Sequence, residues 1–223
     1  ASHTSSMKTS RMLATSAPGE TIIGLRSPTA RRLVRGYGIT TAVGFWGALA
    51  SRAGMFDTVD EAFLPAAATY FEALATWYEV ADIGVRGGEL HDAVVARLAA
   101  GGLKPALNPG HLTGHEEWMH SPVRPGSSEL IRSGMPFQVD VIPTPLAAGQ
   151  SLNCEDAVTF ADSALRDDLA SKYPDVWARI SARRAFMVDT LGVALKEAIL
   201  PLSSTPLWLP PFWLAADQIM VRD

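Results

Sequence analysis

Residues 110–122 read GHLTGHEEWMHSP, and this stretch decides the fold together with GMPFQVD at 134–140 and NCEDAV at 153–158. The first stretch places histidine at three positions within ten residues: His111, His115 and His120. An imidazole can bind a metal ion or transfer protons near neutral pH. The stretch therefore indicates a polar site, and loop histidines with ordinary hydrogen bonds are the alternative.

Two carboxylates, Asp140 and Glu155, lie on short apolar segments that have the composition of strands. If both segments are strands, the two side chains can point inward together with a histidine. Histidine plus two carboxylates is a donor set that suits Mn, Fe, Co or Zn. Spacing alone leaves a metal or catalytic site and a plain polar loop as alternatives.

The three stretches resemble the creatinase/aminopeptidase family, to which methionine aminopeptidase, prolidase and creatinase belong. That family combines a glycine-flanked metal histidine, a catalytic histidine before a proline, a Gly-Met strand that ends in a carboxylate, and a late strand with Glu-Asp. The resemblance covers roughly residues 36–160. It implies an α+β, pita-bread fold, here with a helical, Pro-rich C-terminal extension.

The resemblance also implies roles for individual residues. His115 matches the metal histidine, and Asp140 and Glu155 match metal-binding carboxylates, although the family usually has glutamate at the position of Asp140. His111 matches an upstream active-site histidine of the prolidase branch. His120 matches the catalytic histidine, at a shorter distance from His115 along the chain than is usual. The implied metal ligands are thus His115, Asp140 and Glu155, and the implied catalytic residues are His111 and His120.

Three further residues of the histidine stretch could contribute to a site. Trp118 lies between His115 and His120, and we predict that it contacts the substrate. The alternative is a core residue, which is the more common role of tryptophan. Glu116 and Glu117 are expected to be solvated, and a role as substitute metal ligand for one of them is the alternative.

The resemblance fails at the first hairpin, which corresponds to residues 39–54. The family needs two aspartates there for a two-metal site, and Ala42 and Ser51 stand at those positions. Neither side chain can bind a metal ion as an aspartate does. We therefore expect at most one divalent ion, Mn, Co, Fe or Zn, or no metal at all.

Three functions fit this pattern. The first is an aminopeptidase-like or Xaa-Pro dipeptidase-like hydrolase of C–N bonds in small peptide or amino-acid-like substrates, with one metal ion or, as in creatinase, with none. The second is a catalytically inactive pita-bread domain that binds a peptide or a protein. The third is a chain in which the polar cluster persists only as a hydrogen-bonded core.

Composition and charge limit the class of protein and its partners. The chain of 223 residues has a formal net charge of -4, a pI of about 5.7 and no long run of Lys and Arg, so we expect no nucleic-acid partner. No apolar run is long enough to span a bilayer, so we expect no membrane partner. The one cysteine, Cys154, fits a reducing compartment, and we expect a cytoplasmic protein. A homodimer is expected only by analogy with the fold.

Local patterns divide the chain into three parts: an irregular N-terminal segment at 1–20, a catalytic-type domain at 21–160, and a helical and Pro/Trp-rich extension at 161–223. The extension is expected to pack on the same domain. β-branched and aromatic residues between glycines predict strands. The expected strands are residues 21–23, 38–47, 136–142 and 153–160.

Apolar residues at helical spacing predict the helices. The first follows a capping box of Thr58 and Glu61 or begins nearer to Pro65, and the second spans residues 89–100. A third is predicted to start near Pro174 and to carry one apolar stripe: Val176, Ile180, Met187, Leu191 and Leu195. The segment 207–214 cannot form a regular helix because of its prolines.

Overall fold

An antiparallel sheet forms the centre of the protein in a computed structural model, which describes residues 9–16, 30–45 and 48–222. The strands are β1 (Thr9–Ser16), β2 (Tyr37–Phe45), β3 (Ala48–Phe56), β4 (Lys104–Pro105), β5 (His111–Leu112), β6 (Pro136–Val139), β7 (Pro143–Thr144), β8 (Asn153–Phe160) and β9 (Ile199–Pro201). The helices are α1 (Leu64–Val80), α2 (Gly87–Ala100), α3 (Ser163–Lys172) and α4 (Pro174–Ala185), followed by a π-helical turn, Phe186–Thr190.

The order of strands in the main sheet is β1-β2-β3-β8-β6-β5, with β9 also paired to β8. All of these pairings are antiparallel. The short strands β4 and β7 form a separate ribbon. Strand β8 therefore lies between the N-terminal hairpin on one side and the strands that follow the histidine stretch on the other.

Helix α1 packs against the strands at the centre of the sheet. The ring centroid of Trp77 lies 6.2 Å from that of Phe137 on β6 and 6.3 Å from that of Phe160 on β8. These aromatic side chains are fully buried, and each contributes on the order of 2 kcal/mol through the apolar surface it removes from water. The hydroxyl of Tyr70 accepts a hydrogen bond of 2.8 Å from the Cys154 amide, which ties α1 to the start of β8.

The predicted capping box of α1 is wrong, whereas the alternative start near Pro65 is confirmed. The N-cap is Phe63, without a side-chain hydrogen bond, and Pro65 lies in the first turn, where its missing N–H costs nothing. The Thr58 hydroxyl instead accepts a hydrogen bond from Arg35 at 3.0 Å. Helix α2 begins two residues earlier than predicted, and its predicted apolar stripe of Leu90, Val94 and Leu98 is fully buried.

The strand predictions meet the structure with two differences. Strand β8 has the predicted bounds, and the predicted strand at 136–142 ends at Val139. The irregular N-terminal segment is wrong at Thr9–Ser16, because this stretch pairs with β2 along its whole length and satisfies the backbone groups of that strand. The expected strand at 21–23 lies outside the described residues.

The helical tail is more broken than the sequence predicts. The single helix expected from Pro174 ends as α-helix at Ala185 and continues only as the π-helical turn. Gly192 then adopts φ 73°, a left-handed conformation that stops the helix. Met187 and Leu191 are nevertheless buried in the main core, and Leu195 packs against it from a loop.

The Pro-rich C-terminal segment lies beside β3. The Met55 amide donates to the carbonyl of Pro211 at 2.9 Å, and the Trp213 amide donates to the carbonyl of Met55 at 2.8 Å. Leu207, Leu209 and Phe212 belong to the main apolar core. In the part of the chain that the structure describes, no helix combines the length and apolar character needed to cross a membrane.

Candidate metal centre

Three buried side chains meet at the middle of the sheet. His111 lies on β5, Asp140 follows β6 and Glu155 lies on β8, and a potential ligand atom of each lies within 4.8 Å of the others. The pairing register of the strands explains why these side chains lie close together. Val139 pairs with Asp156 in the antiparallel register, so one position further along β6 and one position back along β8 bring Asp140 beside Glu155, while β5 pairs with the other edge of β6. The three residues are 2%, 9% and 6% exposed.

Two atoms of this cluster are buried without a hydrogen-bond partner in the described structure, Nε2 of His111 and Oδ1 of Asp140. Nδ1 of His111 lies 3.1 Å from the carbonyl oxygen of Leu112. A carbonyl can only accept, so Nδ1 carries the proton of the neutral ring and Nε2 presents a lone pair. Buried polar atoms without partners are costly. An imidazole lone pair that faces carboxylate oxygens fits a divalent cation.

The electrostatics of the cluster favour protons or a cation over free carboxylates. Burial raises the pKa of Asp140 to about 6, with an opposing effect of His111 and a further raising effect of Glu117. Burial also raises the pKa of Glu155 well above its ordinary value, and the charges of Asp140 and Glu117 and a hydrogen bond with Glu117 add to this. Burial alone would lower the pKa of His111, but Glu117, the Leu112 carbonyl and Asp140 outweigh it and raise the pKa.

The loop that follows β5 covers this cluster. Its ends are held by a hydrogen bond of 2.7 Å from the Leu112 amide to the His120 carbonyl and one of 3.1 Å from the Met119 amide to the Leu112 carbonyl. Oε1 of Glu117 lies 3.3 Å from Nε2 of His111. The Trp118 ring centroid lies 5.8 Å from the His111 ring, yet the side chain is 56% exposed.

The other two histidines of the stretch lie outside the cluster. His115 is exposed on the loop. His120 is also exposed, and its Nε2 lies 2.8 Å from Oε2 of Glu129, which also accepts a hydrogen bond of 2.6 Å from Arg124. The structure thus brings together His111, Asp140 and Glu155, and it places His115 apart from the two carboxylates that were predicted as its partners.

The reason for this difference is visible in the sequence. Gly110 precedes His111 just as Gly114 precedes His115, so a glycine-flanked histidine occurs twice. Only the first of them lies on β5, whose pairing with β6 holds its side chain next to Asp140. Gly110 has φ 108°, and a Cβ there would lie 3.1 Å from the Gln138 carbonyl oxygen, so this position requires glycine.

Comparison with known proteins identifies the fold. No protein-family model matches the chain, and no curated protein sequence matches it significantly. Solved structures do match: the prolidase from Pyrococcus horikoshii OT3 superimposes with a TM-score of 0.59 over 68% of this chain and 44% of that chain, at 18% identity. The chain has the pita-bread fold.

Other proteins with this pita-bread arrangement include an Xaa-Pro dipeptidase from Bacillus anthracis, with a TM-score of 0.58 and 16% identity over 69% of this chain and 44% of that chain. Methionine aminopeptidase from Thermotoga maritima matches with a TM-score of 0.50 and 15% identity over 68% of this chain and 70% of that chain. The chain spans less than half the length of the prolidase and the dipeptidase.

The first hairpin of this pita-bread domain contributes no carboxylate to the cluster. Ala42 pairs with Ser51 across β2 and β3, and Ser51 pairs with Glu155 across β3 and β8. Both hairpin residues are 3% exposed. The hydroxyl of Ser51 accepts a hydrogen bond of 3.1 Å from the Asn153 side chain. The positions at which the family resemblance expects aspartates therefore lie beside the cluster and carry a methyl group and a hydroxyl.

A buried ion pair supports strand β8, which carries Glu155. Nη2 of Arg52 lies 2.8 Å from Oδ1 of Asp156, and Nη1 of Arg52 donates to the carbonyl of Glu155 at 3.0 Å. Arg52 also donates to the carbonyl of Thr205 at 2.5 Å, and Asp156 accepts from the Leu207 amide at 2.8 Å. Although burial opposes the charge of Arg52, Cys154 and Asp156 raise its pKa. Asp156 thus anchors the C-terminal segment, a role the sequence does not reveal.

Proposed function

We propose that the chain is the catalytic-type part of a hydrolase that cleaves a C–N bond in a small peptide or amino-acid-like substrate, of the aminopeptidase or Xaa-Pro dipeptidase type. One divalent ion would be held by His111, Asp140 and Glu155. The observation that carries the proposal is the buried cluster itself, in which one potential ligand atom from each of His111, Asp140 and Glu155 lies within 4.8 Å of the others. The mixed nitrogen and oxygen donors suit Mn, Fe, Co or Zn.

The ion would supply a polarised carbonyl and a more acidic bound water, which is the chemistry that hydrolysis of an amide needs. The chain's own residues would bind and orient the substrate. Trp118, whose ring centroid lies 5.8 Å from that of His111, and Met119, the next residue, are both exposed and would offer an apolar surface to a substrate side chain. His120 would transfer a proton at Nδ1, with its ring oriented by the contact of Nε2 with Glu129.

A pita-bread domain that only binds a peptide is the second candidate. The observation that favours it is the hairpin, where Ala42 and Ser51 leave the cluster without two carboxylates that the family resemblance expects. The exposed Trp118 and Met119 would then serve as contacts for a peptide instead of a substrate.

Metal analysis of four proteins separates these functions. The purified chain, His111→Ala, His115→Ala and Glu116→Gln are incubated with Mn, Co or Zn, dialysed and analysed for bound metal. The expected result is one ion per chain in the parent, in His115→Ala and in Glu116→Gln, and none in His111→Ala. A screen of dipeptides, including Xaa-Pro dipeptides, follows on the loaded protein.

Two outcomes contradict the proposed arrangement. Loss of metal in His115→Ala together with retention in His111→Ala would move the site to the other histidine. Absence of metal from every protein would remove the metal-dependent hydrolase, and saturable binding of peptides without turnover would then support the binding domain.

A further inference from the structure

Glu116 and Glu117 are adjacent in the loop after β5 but lie in different surroundings. Glu116 is exposed, whereas the Glu117 side chain is 39% exposed and turns toward the cluster. Its Oε1 lies 3.3 Å from Nε2 of His111, and its charge adds to the raised pKa of Glu155. Glu117 therefore contacts one of the three residues that form the candidate metal centre and acts electrostatically on another.

The position of Glu117 is unfavourable in the protein alone. It adds a third carboxyl group beside the buried Asp140 and Glu155, and its charge disfavours the charged forms of both. Within the described ranges, no lysine or arginine side chain forms an ion pair with any of these three carboxylates. The group that faces them is His111, whose Nε2 lies 3.3 Å from Oε1 of Glu117 and 4.0 Å from Oδ2 of Asp140.

A cation between these groups would account for the arrangement. It would accept the His111 lone pair and balance the three carboxylates, and Oδ1 of Asp140 would gain the partner that it lacks. The hairpin supplies no ligand of its own, because Ser51, opposite Glu155, carries a hydroxyl and Ala42, opposite Ser51, carries a methyl group.

We propose that Glu117 is a fourth protein ligand of the divalent ion, supplied by the histidine loop in place of the carboxylates that the first hairpin lacks. This inference rests on the proposed metal centre and adds a residue to it. The ion would then fasten the loop to the sheet, and Trp118, the next residue, would be held at the edge of the site by the same contact.

Calorimetric titration of the metal-free chain with Co(II), and separately with Zn(II), tests this assignment. Glu117→Gln keeps the size of the side chain and removes its charge, and Glu116→Gln is the matched control one residue away. We expect Glu117→Gln to weaken metal binding by at least about 10-fold, and Glu116→Gln to leave the affinity within about 2-fold of the parent.

The visible absorption of the Co(II)-loaded proteins distinguishes a ligand from a nearby charge. Loss of a ligand changes the position and intensity of the Co(II) bands in Glu117→Gln, whereas a purely electrostatic effect weakens binding without changing the bands at saturation. Unchanged bands in the saturated Glu117→Gln protein would overturn the ligand assignment, and so would equal affinities of Glu117→Gln and the parent.

Different binding results would refute Glu117 as a ligand and the metal centre itself. If the parent chain binds Co(II) and His111→Ala does not, but Glu117→Gln binds as the parent does, the centre stands and Glu117 is no ligand. If the parent chain binds neither ion, the centre and the fourth ligand are both refuted.

Discussion

Ser51 on β3 lies directly opposite Glu155 on β8, so the hairpin residue paired with this glutamate carries a hydroxyl and no charge. We predict that Ser51→Asp strengthens metal binding and destabilises the metal-free protein. A carboxylate at this buried position would repel Glu155 when no ion is present, at a cost of about 1 to 3 kcal/mol. With a divalent ion the same charge becomes favourable. Thermal unfolding in EDTA and in Co(II) or Zn(II) measures both effects.

Ser51→Asn is the matched control for this variant, because it has nearly the same shape as Ser51→Asp without the charge. Both variants are expected to unfold at a lower temperature than the parent in EDTA. Only Ser51→Asp is expected to show a larger metal-induced rise in Tm than the parent. Equal metal-induced rises in the two variants would mean that position 51 does not face the ion.

The buried carboxyl groups predict that the metal-free protein becomes less stable as pH rises through about 6. In the unfolded chain the Asp140 carboxyl titrates near pH ~4, whereas burial in the folded chain raises its pKa to about 6. Below both values the group is protonated in either state and costs nothing. Above them the folded state must hold a buried charge, which costs on the order of 2 kcal/mol. The raised pKa values of Glu155 and His111 act in the same direction.

Urea unfolding in EDTA between pH 4.5 and 8, for the parent and Asp140→Asn, measures this dependence. The free energy of unfolding of the parent should fall with rising pH across this range, and Asp140→Asn should show a smaller fall because one of the titrating groups is gone. Parallel profiles for the two proteins would contradict the assignment to Asp140.

The sequence predicts those parts of the fold that depend on residues close together in the chain. The bounds of β8 and the buried stripe of α2 follow from the alternation of residue types and from the helical spacing of leucine and valine. Asp140 and Glu155 could be predicted to lie together because both belong to motifs of the family resemblance. Asp140 directly follows a strand, and Glu155 lies within one.

The choice between His111 and His115 could not be made in this way, because both follow a glycine. It is decided by the pairing of β5 with β6, a contact between segments that are far apart in the sequence. The same holds for Arg52 and Asp156, which are 104 positions apart. Breaks in the C-terminal helix depend on Gly192 and on packing of the π-helical turn, which apolar spacing does not reveal.

His120 provides a prediction about activity. We expect His120→Ala to lower kcat by about 10² to 10⁴-fold if Nδ1 transfers a proton in the reaction, with metal content unchanged because the ring lies outside the cluster. His91 pairs with Asp92 on helix α2, so His91→Ala serves as a histidine control without an expected effect on kcat. Turnover of His120→Ala at the parent rate would remove His120 from the mechanism.

The ion pair of Arg52 and Asp156 gives the last prediction, which concerns stability. Both side chains are almost fully buried, and removal of one leaves the other charged and unpaired, so Asp156→Asn should cost about 3 to 5 kcal/mol in the free energy of unfolding. The exposed pair of Lys172 and Asp168 supplies the control, since Asp168→Asn should change stability by less than about 1 kcal/mol. Urea unfolding of the metal-free proteins measures both changes.

Because Asp156 also accepts from the Leu207 amide, the C-terminal segment should become more susceptible to proteolysis in Asp156→Asn. Equal stability losses in the two variants would mean that the buried pair does not hold this segment to the sheet.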